Sequence, residues 1–469
     1  MHRILIGTLF GCFTGLVSAQ QLSSDPFPTP IKAEEGVISA NFVEFAAIPF
    51  EDDRYAPRLM TMTSEPGTQR LFVSAMTGTL YAMDYEGKNL TEYLNINDEK
   101  WGVRTLSAGN ERGVQSFTFH PDFAKRGAPG YGKFYVYLDT RADEDANAFQ
   151  SGGERRTHDT ILLEWTALNA DSAVYDGNSP REVLRAAQPF PNHNGGQIGF
   201  NPLATVEDDD FGLLYIGLAD GGAGGDPLNA AQDLSNYFGK ILRIDPLGNY
   251  SKTFRYGVPS TNPFAADNDN STLGEIFAYG VRNPQRFTWD SKTGQMLLAD
   301  IGQNQVEEIS PVPAGGNLGW NAWEGSYRYD RFQVSLDDPQ GEEGLVWPIV
   351  EYDHADPLFI RQVAITGITV YRGDTIAALQ NKIIFGDNPS GEIFYVDADA
   401  QHQGGQDAIA RILLNDEGQN KTLLQLIQEK NVEQGVDPAS RADLRFGFGA
   451  MGEIFLLNKH DGVIRKLVE

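Results

Sequence analysis

Two short β-rich runs joined by a polar or glycine-rich turn recur about six times along this 469-residue chain. The runs are RLFVSAMTGTLYAMD (Arg70–Asp84), KFYVYLDT (Lys133–Thr140) answered by ILLEWTA (Ile161–Ala167), and LLYIGLAD with GKILRIDP. They continue as QMLLADIGQNQVEEISPV (Gln295–Val312), KIIFGDNPSGEIFYVDAD (Lys382–Asp399) and EIFLLNKHDGVIRKLV (Glu453–Val468). Period-two alternation bounded by Gly, Asn and Asp is a hairpin signal. A total of 50 glycines and 24 prolines supplies turns for that many hairpins. Each repeat leaves sheet edges, and a radial arrangement of small sheets limits their exposure. The spacing therefore predicts an all-β fold, a six-bladed β-propeller filling residues 20–469 as one domain. A pair of β-sandwiches is the competing arrangement. Helical periodicity is scarce, and Thr422–Glu429 is the main candidate for a short helix.

The first residues, MHRILIGTLFGCFTGLVSAQ, combine a basic start, an apolar run and a small-residue site at Val17-Ser18-Ala19. That pattern reads as a secretory signal peptide over residues 1–19, and the run is too short for a stable membrane anchor. Leu9-Phe10-Gly11-Cys12 has some likeness to a lipoprotein site, but bulky Phe10 and the apolar residues after Cys12 favour ordinary export. The expected compartment is periplasmic or extracellular. Cys12 is the single cysteine, so the mature chain lacks disulfides, thiol nucleophiles and thiolate metal sites. A formal net charge of −27 without a basic run repels phosphate backbones and anionic membranes, which excludes nucleic acid as a partner.

Candidate chemistry concentrates in four segments. PNHNGGQIGF places His193 in a polar turn, and Asp220 ends the LLYIGLAD run at a glycine-rich loop. A histidine oriented by a carboxylate can take a proton near neutral pH, whereas a lone histidine or aspartate can equally hold a turn. YGVRNPQRFTWD offers Arg282 and Asn283, a planar fork and an amide suited to a carboxylate or quinone oxygen, or to a structural ion pair. In LADIGQNQVEEIS, carbonyls near Gly302 and Gln303 with Glu307 or Glu308 offer the oxygen ligands calcium needs. GGNLGWNAWEG adds Trp320 and Trp323, either sugar-stacking faces or core. GxSxG, Walker, HExxH and GxGxxG patterns are absent, and 7 scattered histidines make no zinc cage.

Together with ERGVQSFTFHPDF (Glu111–Phe123) and ITGITVYRG (Ile365–Gly373), these motifs resemble, in family order, the glucose/sorbosone dehydrogenase family of soluble quinoproteins. The resemblance implies pyrroloquinoline quinone (PQQ) held above a calcium ion, Ca2+, at one mouth of a six-bladed propeller. It implies that His193 takes the proton from a sugar's anomeric hydroxyl, supported by Asp220, while hydride passes to the quinone. Arg282, Asn283, Glu111 and Arg445 fall where the family contacts the cofactor; Gly302 and Gln303 fall where carbonyls hold calcium, with Glu308 beside them. The implied activity is oxidation of an aldose to its lactone, with electrons passed to an external quinone or cytochrome acceptor. Glucose-oxidising members carry a lysine near the turn matched by Gly386–Gly391, where this chain reads Asp387-Asn388-Pro389-Ser390. They also carry a close arginine pair, where this chain has Arg445 with Arg441 further off. The RNPQRF and DIGQNQVEE forms are similar to the branch with hedgehog-interacting-protein-like relatives. A non-catalytic saccharide- or protein-binding propeller and a calcium-dependent lactonase are the alternative expectations.

Overall fold

A computed structural model describes residues 25–50, 55–109, 111–146, 148–150, 156–267, 269, 271–359 and 362–469. The segment 1–19, read as a signal peptide, lies outside the described residues. The β-rich runs pair antiparallel as their alternation requires. Arg70–Ala75 meets Thr79–Asp84, Lys133–Thr140 meets His158–Thr166, and Leu214–Leu218 meets Lys240–Ile244. Met296–Asp300 meets Val306–Pro311, Lys382–Asp387 meets Ile393–Asp397, and Ile454–Leu457 meets Val463–Val468. A further strand joins one side of each pair: Leu59–Ser64, Val114–Phe119, Ile198–Phe200, Pro284–Trp289, Ile365–Tyr371 and Arg445–Phe448. The architecture is all-β.

The sheets are joined at their edges. Leu59–Ser64 pairs parallel with Arg445–Phe448, and Ala410–Asp416 pairs parallel with Ile38–Ala47, which itself runs antiparallel to Val463–Val468. These contacts merge strands from both ends of the chain into one 13-stranded sheet beside sheets of five, four, four and three strands. Each edge so paired is withheld from another chain.

Strands such as Leu214–Leu218 and Lys240–Ile244 are buried at every position, because neighbouring sheets cover both faces. Between the sheets at 59–95 and 114–188, Phe72, Phe119, Phe134 and Trp165 build an aromatic core. Burying each such ring contributes about 1.5–3 kcal/mol. Among the described residues one α-helix forms, Leu423–Glu433, started by a Thr422–Gln425 capping box and running four residues past its expected end. It is too short to cross a membrane, and no helix among the described residues is long and apolar enough to do so.

One irregularity positions the site. The register slips between Leu59 and Thr61, Val114 and Ser116, Pro284 and Arg286, and Ile365 and Gly367. Each slip leaves one residue outside its ladder: Met60, Gln115, Gln285 and Thr366. A bulge re-aims the extra side chain, and all four of these residues line one cavity.

Candidate functional site

That cavity encloses about 460 Å³, within the range of small-ligand sites. Its lining brings together His193, Arg282, Asn283, Gly302, Gln303, Glu111 and Arg445, residues that the sequence scatters over more than 300 positions. Asp220 lies behind His193. Glu308 is not brought to the cavity: it faces Asp300 and Glu351 across the sheet, in register with both. Glu307 points the other way, accepting from Ile365 N (2.8 Å) and contacting His354 Nε2 (2.6 Å). His354 itself lines the cavity.

His193 occupies the left-handed region, with φ of 56°. Two glycines close behind it have no room for a side chain: a Cβ on Gly195 would lie 2.6 Å from Gly217 O, and one on Gly196 1.9 Å from Pro284 O. Backbone from two neighbouring sheets thus presses the turn into place. Glu111 Oε2 accepts from His193 N at 2.8 Å and ties the turn down from a third side.

The imidazole contacts fix its tautomer. Nδ1 lies 2.7 Å from Asp220 Oδ1, and Nε2 lies 2.9 Å from Arg282 Nη2. A guanidinium only donates, so Nε2 is the acceptor and Nδ1 carries the proton. Asp220 is held in turn, its Oδ1 accepting from Gly222 N (2.9 Å) and its Oδ2 from Trp320 Nε1 (2.9 Å). Trp320 is therefore neither a sugar face nor passive core: it is a buried donor that orients the carboxylate. Trp323 is core, packed edge-on against Trp347.

Arg282 is spread over three acceptors. Nε reaches Gln303 Oε1 (3.2 Å), Nη1 reaches Ile301 O (2.9 Å), and Nη2 reaches the imidazole. Asp300 anchors the Arg282–Asn283 backbone from below, accepting from both amides at 2.8 and 2.7 Å. Burial pushes the Asp300 carboxyl up to about 7. Burial, then the Asp300 charge, raises Glu308 well above the usual carboxylate range. Beside them, Glu324 Oε1 accepts from the amides of Gln303, Asn304, Gln305 and Val306 at 2.8 to 3.0 Å. Those amides point away from the cavity. Among the described residues no donor reaches the carbonyls of Gly302 or Gln303, which leaves two oxygens for a hard cation.

The opposite wall is cationic, and sequence reasoning missed one of its members, Lys459. Arg441, Arg445 and Lys459 line the cavity together with Asn388. Arg441 Nη2 donates to Asn388 Oδ1 (2.8 Å), and its Nε to Asp443 Oδ1 (2.6 Å). The sequence spacing set Arg441 apart from Arg445, yet the fold puts both on one surface. Lys459, from the last hairpin turn, supplies an ammonium on the same wall as the Asp387–Ser390 turn. Burial and then the Arg445 charge pull Lys459 down to about 7. Only spatial neighbourhood could have found it, since Asn458-Lys459-His460 reads as an ordinary turn.

The floor holds orphaned polar atoms. Among the described residues Asn194 Oδ1, Gln285 Oε1 and Arg445 Nε are buried without partners, and all three residues line the cavity. Buried polar atoms are ordinarily paired, so these mark where a polar ligand completes the set. Among the described residues no group of three or more His, Cys, Asp or Glu side chains is spaced to hold a metal ion, so a cation bound here would rest on backbone carbonyls.

A family model described as glucose / sorbosone dehydrogenase matches residues 56–433. The HIPL1 protein of Arabidopsis thaliana is 28% identical over 365 residues, 70% of this chain and 50% of that protein. The Hedgehog-interacting protein of Homo sapiens is 31% identical over 230 residues, 48% of this chain and 29% of that protein. The chain thus spans half or less of the length of these relatives. Among solved structures, the PQQ-bound form of aldose sugar dehydrogenase from Streptomyces coelicolor aligns with a TM-score of 0.55 at 18% identity, over 88% of this chain and 96% of that one. At that identity the likeness is one of fold.

Proposed function

The chain belongs to the glucose/sorbosone dehydrogenase family, and from that premise we propose that it is an exported, six-bladed quinoprotein oxidising an aldose to its lactone. The observation that carries this reading is the Asp220–His193–Arg282 line, which presents an unprotonated Nε2 at the cavity. When bound with Ca2+, PQQ supplies the two-electron acceptor for the hydride that leaves the anomeric carbon. The cavity chemistry suits that planar tricarboxylate: Arg445, Arg441 and Lys459 would hold its carboxylates, and the Gly302 and Gln303 carbonyls would hold its calcium. Arg282 and Asn283 would donate to its oxygens, and Glu111 holds the base turn.

The protein's own part is proton transfer and orientation. The sugar hydroxyl takes over the Nε2 contact that Arg282 Nη2 makes in the free protein. His193 then accepts the proton at Nε2 while Asp220 stabilises the imidazolium at Nδ1, a positioned base contributing about 10²–10⁴-fold. Electrons leave to an external quinone or cytochrome.

A second reading, a propeller that binds saccharide or protein without chemistry, is favoured by the likeness to the Hedgehog-interacting protein. The test adds PQQ and Ca2+ to purified protein and follows the quinone absorbance and dye reduction across a sugar panel. Quinone uptake with sugar-dependent reduction is expected. Uptake of neither quinone nor electrons with any sugar sinks the dehydrogenase reading.

A further inference from the structure

Arg445 lines the cavity and its charge acts on Arg286 nearby, and among the described residues neither guanidinium forms a salt bridge with a carboxylate. Arg286 and Arg445 are 6% exposed each. Arg286 donates only to backbone carbonyls: Nη1 to Gln285 O (2.6 Å), Nη2 to Met60 O (3.1 Å) and to Gln115 O (3.4 Å). These are carbonyls of three bulge residues, so the guanidinium gathers oxygens that the slipped registers set free. Arg445 donates from Nη1 to Leu444 O (2.9 Å), and its Nε has no partner among the described residues. Asp443, the acid nearest in sequence, spends one oxygen on Arg441 and the other on His460.

Carbonyl dipoles satisfy N–H groups but leave the net charge in place. A buried cation ordinarily pairs, coordinates an anion, or sheds its proton. Lys459 has the third route open to it, because burial holds it near 7. A guanidinium does not lose its proton at neutral pH. Burial and the neighbouring charge lower Arg286 only to about 9, and burial lowers Arg445 only to about 10.

We propose that the floor of the cavity, between Arg445 and Arg286, binds a small inorganic anion of the halide class. The Arg445 Nε–H aims the ion, and the Arg286 charge supplies the field from below. The site exists in the quinone-free protein and needs no sugar, so its failure would leave the dehydrogenase reading standing.

The test uses the full mature protein without quinone. Thermal melting is measured in sodium chloride and sodium bromide against sodium gluconate at equal ionic strength, and bromide is located in crystals by its anomalous signal. Melting should rise with either halide, and a bromide peak should lie within hydrogen-bond reach of Arg445 Nε. Arg286→Gln should abolish both; if it does not fold, Arg445→Gln, which keeps the Arg286–carbonyl bonds, is read in the same way. No halide-dependent rise, no peak at the floor, or a rise and peak retained in the folding variant would overturn the proposal.

Discussion

The two walls of the cavity solve opposite problems. On the His193 wall the imidazole and its supports each face a designated partner: Trp320 and Gly222 hold Asp220, Asp220 holds Nδ1, and Arg282 meets Nε2. Geometry is set before any ligand arrives, as proton transfer demands. On the Arg445 wall, charge accumulates faster than partners do. Arg445 has a bare Nε, and Lys459 is held near 7 with its charge opposed by Arg445. That wall lowers its energy when negative charge is delivered to it. One wall is built to act and the other to receive.

Removing groups from each wall should separate the two roles. The largest effect is expected for His193→Ala in protein loaded with PQQ and Ca2+: dye reduction should fall about 10²–10⁴-fold with quinone absorbance retained. Unchanged turnover would break the comparison at its first wall. Asp220→Asn, which keeps the shape but weakens the hold on Nδ1–H, should cost about 10- to 100-fold in kcat, equivalent to one hydrogen bond to a charged group. Lys459→Met should act on the other quantity, weakening quinone uptake about tenfold with kcat of the loaded fraction unchanged. The wild-type quinone affinity should also weaken as pH rises past about 7, where Lys459 loses its charge; titrations at pH 6 and 8.5 should show a slope that Lys459→Met lacks.

The smallest effect concerns the layer below. Glu308 is raised, so the folded protein holds its proton more tightly than the unfolded chain. Its contribution to stability is full below the ordinary Glu value, about 4.3, and is lost as pH climbs through the raised value. Glu308→Gln mimics the protonated form. Denaturant melts should show a gain that is larger at pH 8 than at pH 5, and an equal or reversed difference would refute the assignment of burial as the cause.

The contrast also marks what the amino-acid string could disclose. His193, Asp220, Arg282 and Gly302 sit inside compact motifs at strand ends, where local spacing signals both turn and chemistry. The period-two runs likewise announced their own pairing, because hairpin partners are neighbours in sequence. Lys459 gave no such signal. Its place beside Arg445 follows from the antiparallel pairing of Arg445–Phe448 with Ile454–Leu457, which sets Arg445 opposite Leu457, two residues before the lysine. Glu308 shows the converse limit: adjacency to Gly302 suggested a ligand, but strand alternation sends its side chain into the sheet stack, opposite Asp300. Trp320 was legible as buried or stacking, and its bond to Asp220 required the fold.

Met60, Gln115, Gln285 and Thr366 project from bulges, outside the ladders that hold their strands. An exchange at one of these four places changes what a guest molecule touches without disturbing the alignment of its strand. Descent can therefore retune the appetite of such a scaffold through a few side chains, leaving the machinery of folding inherited intact.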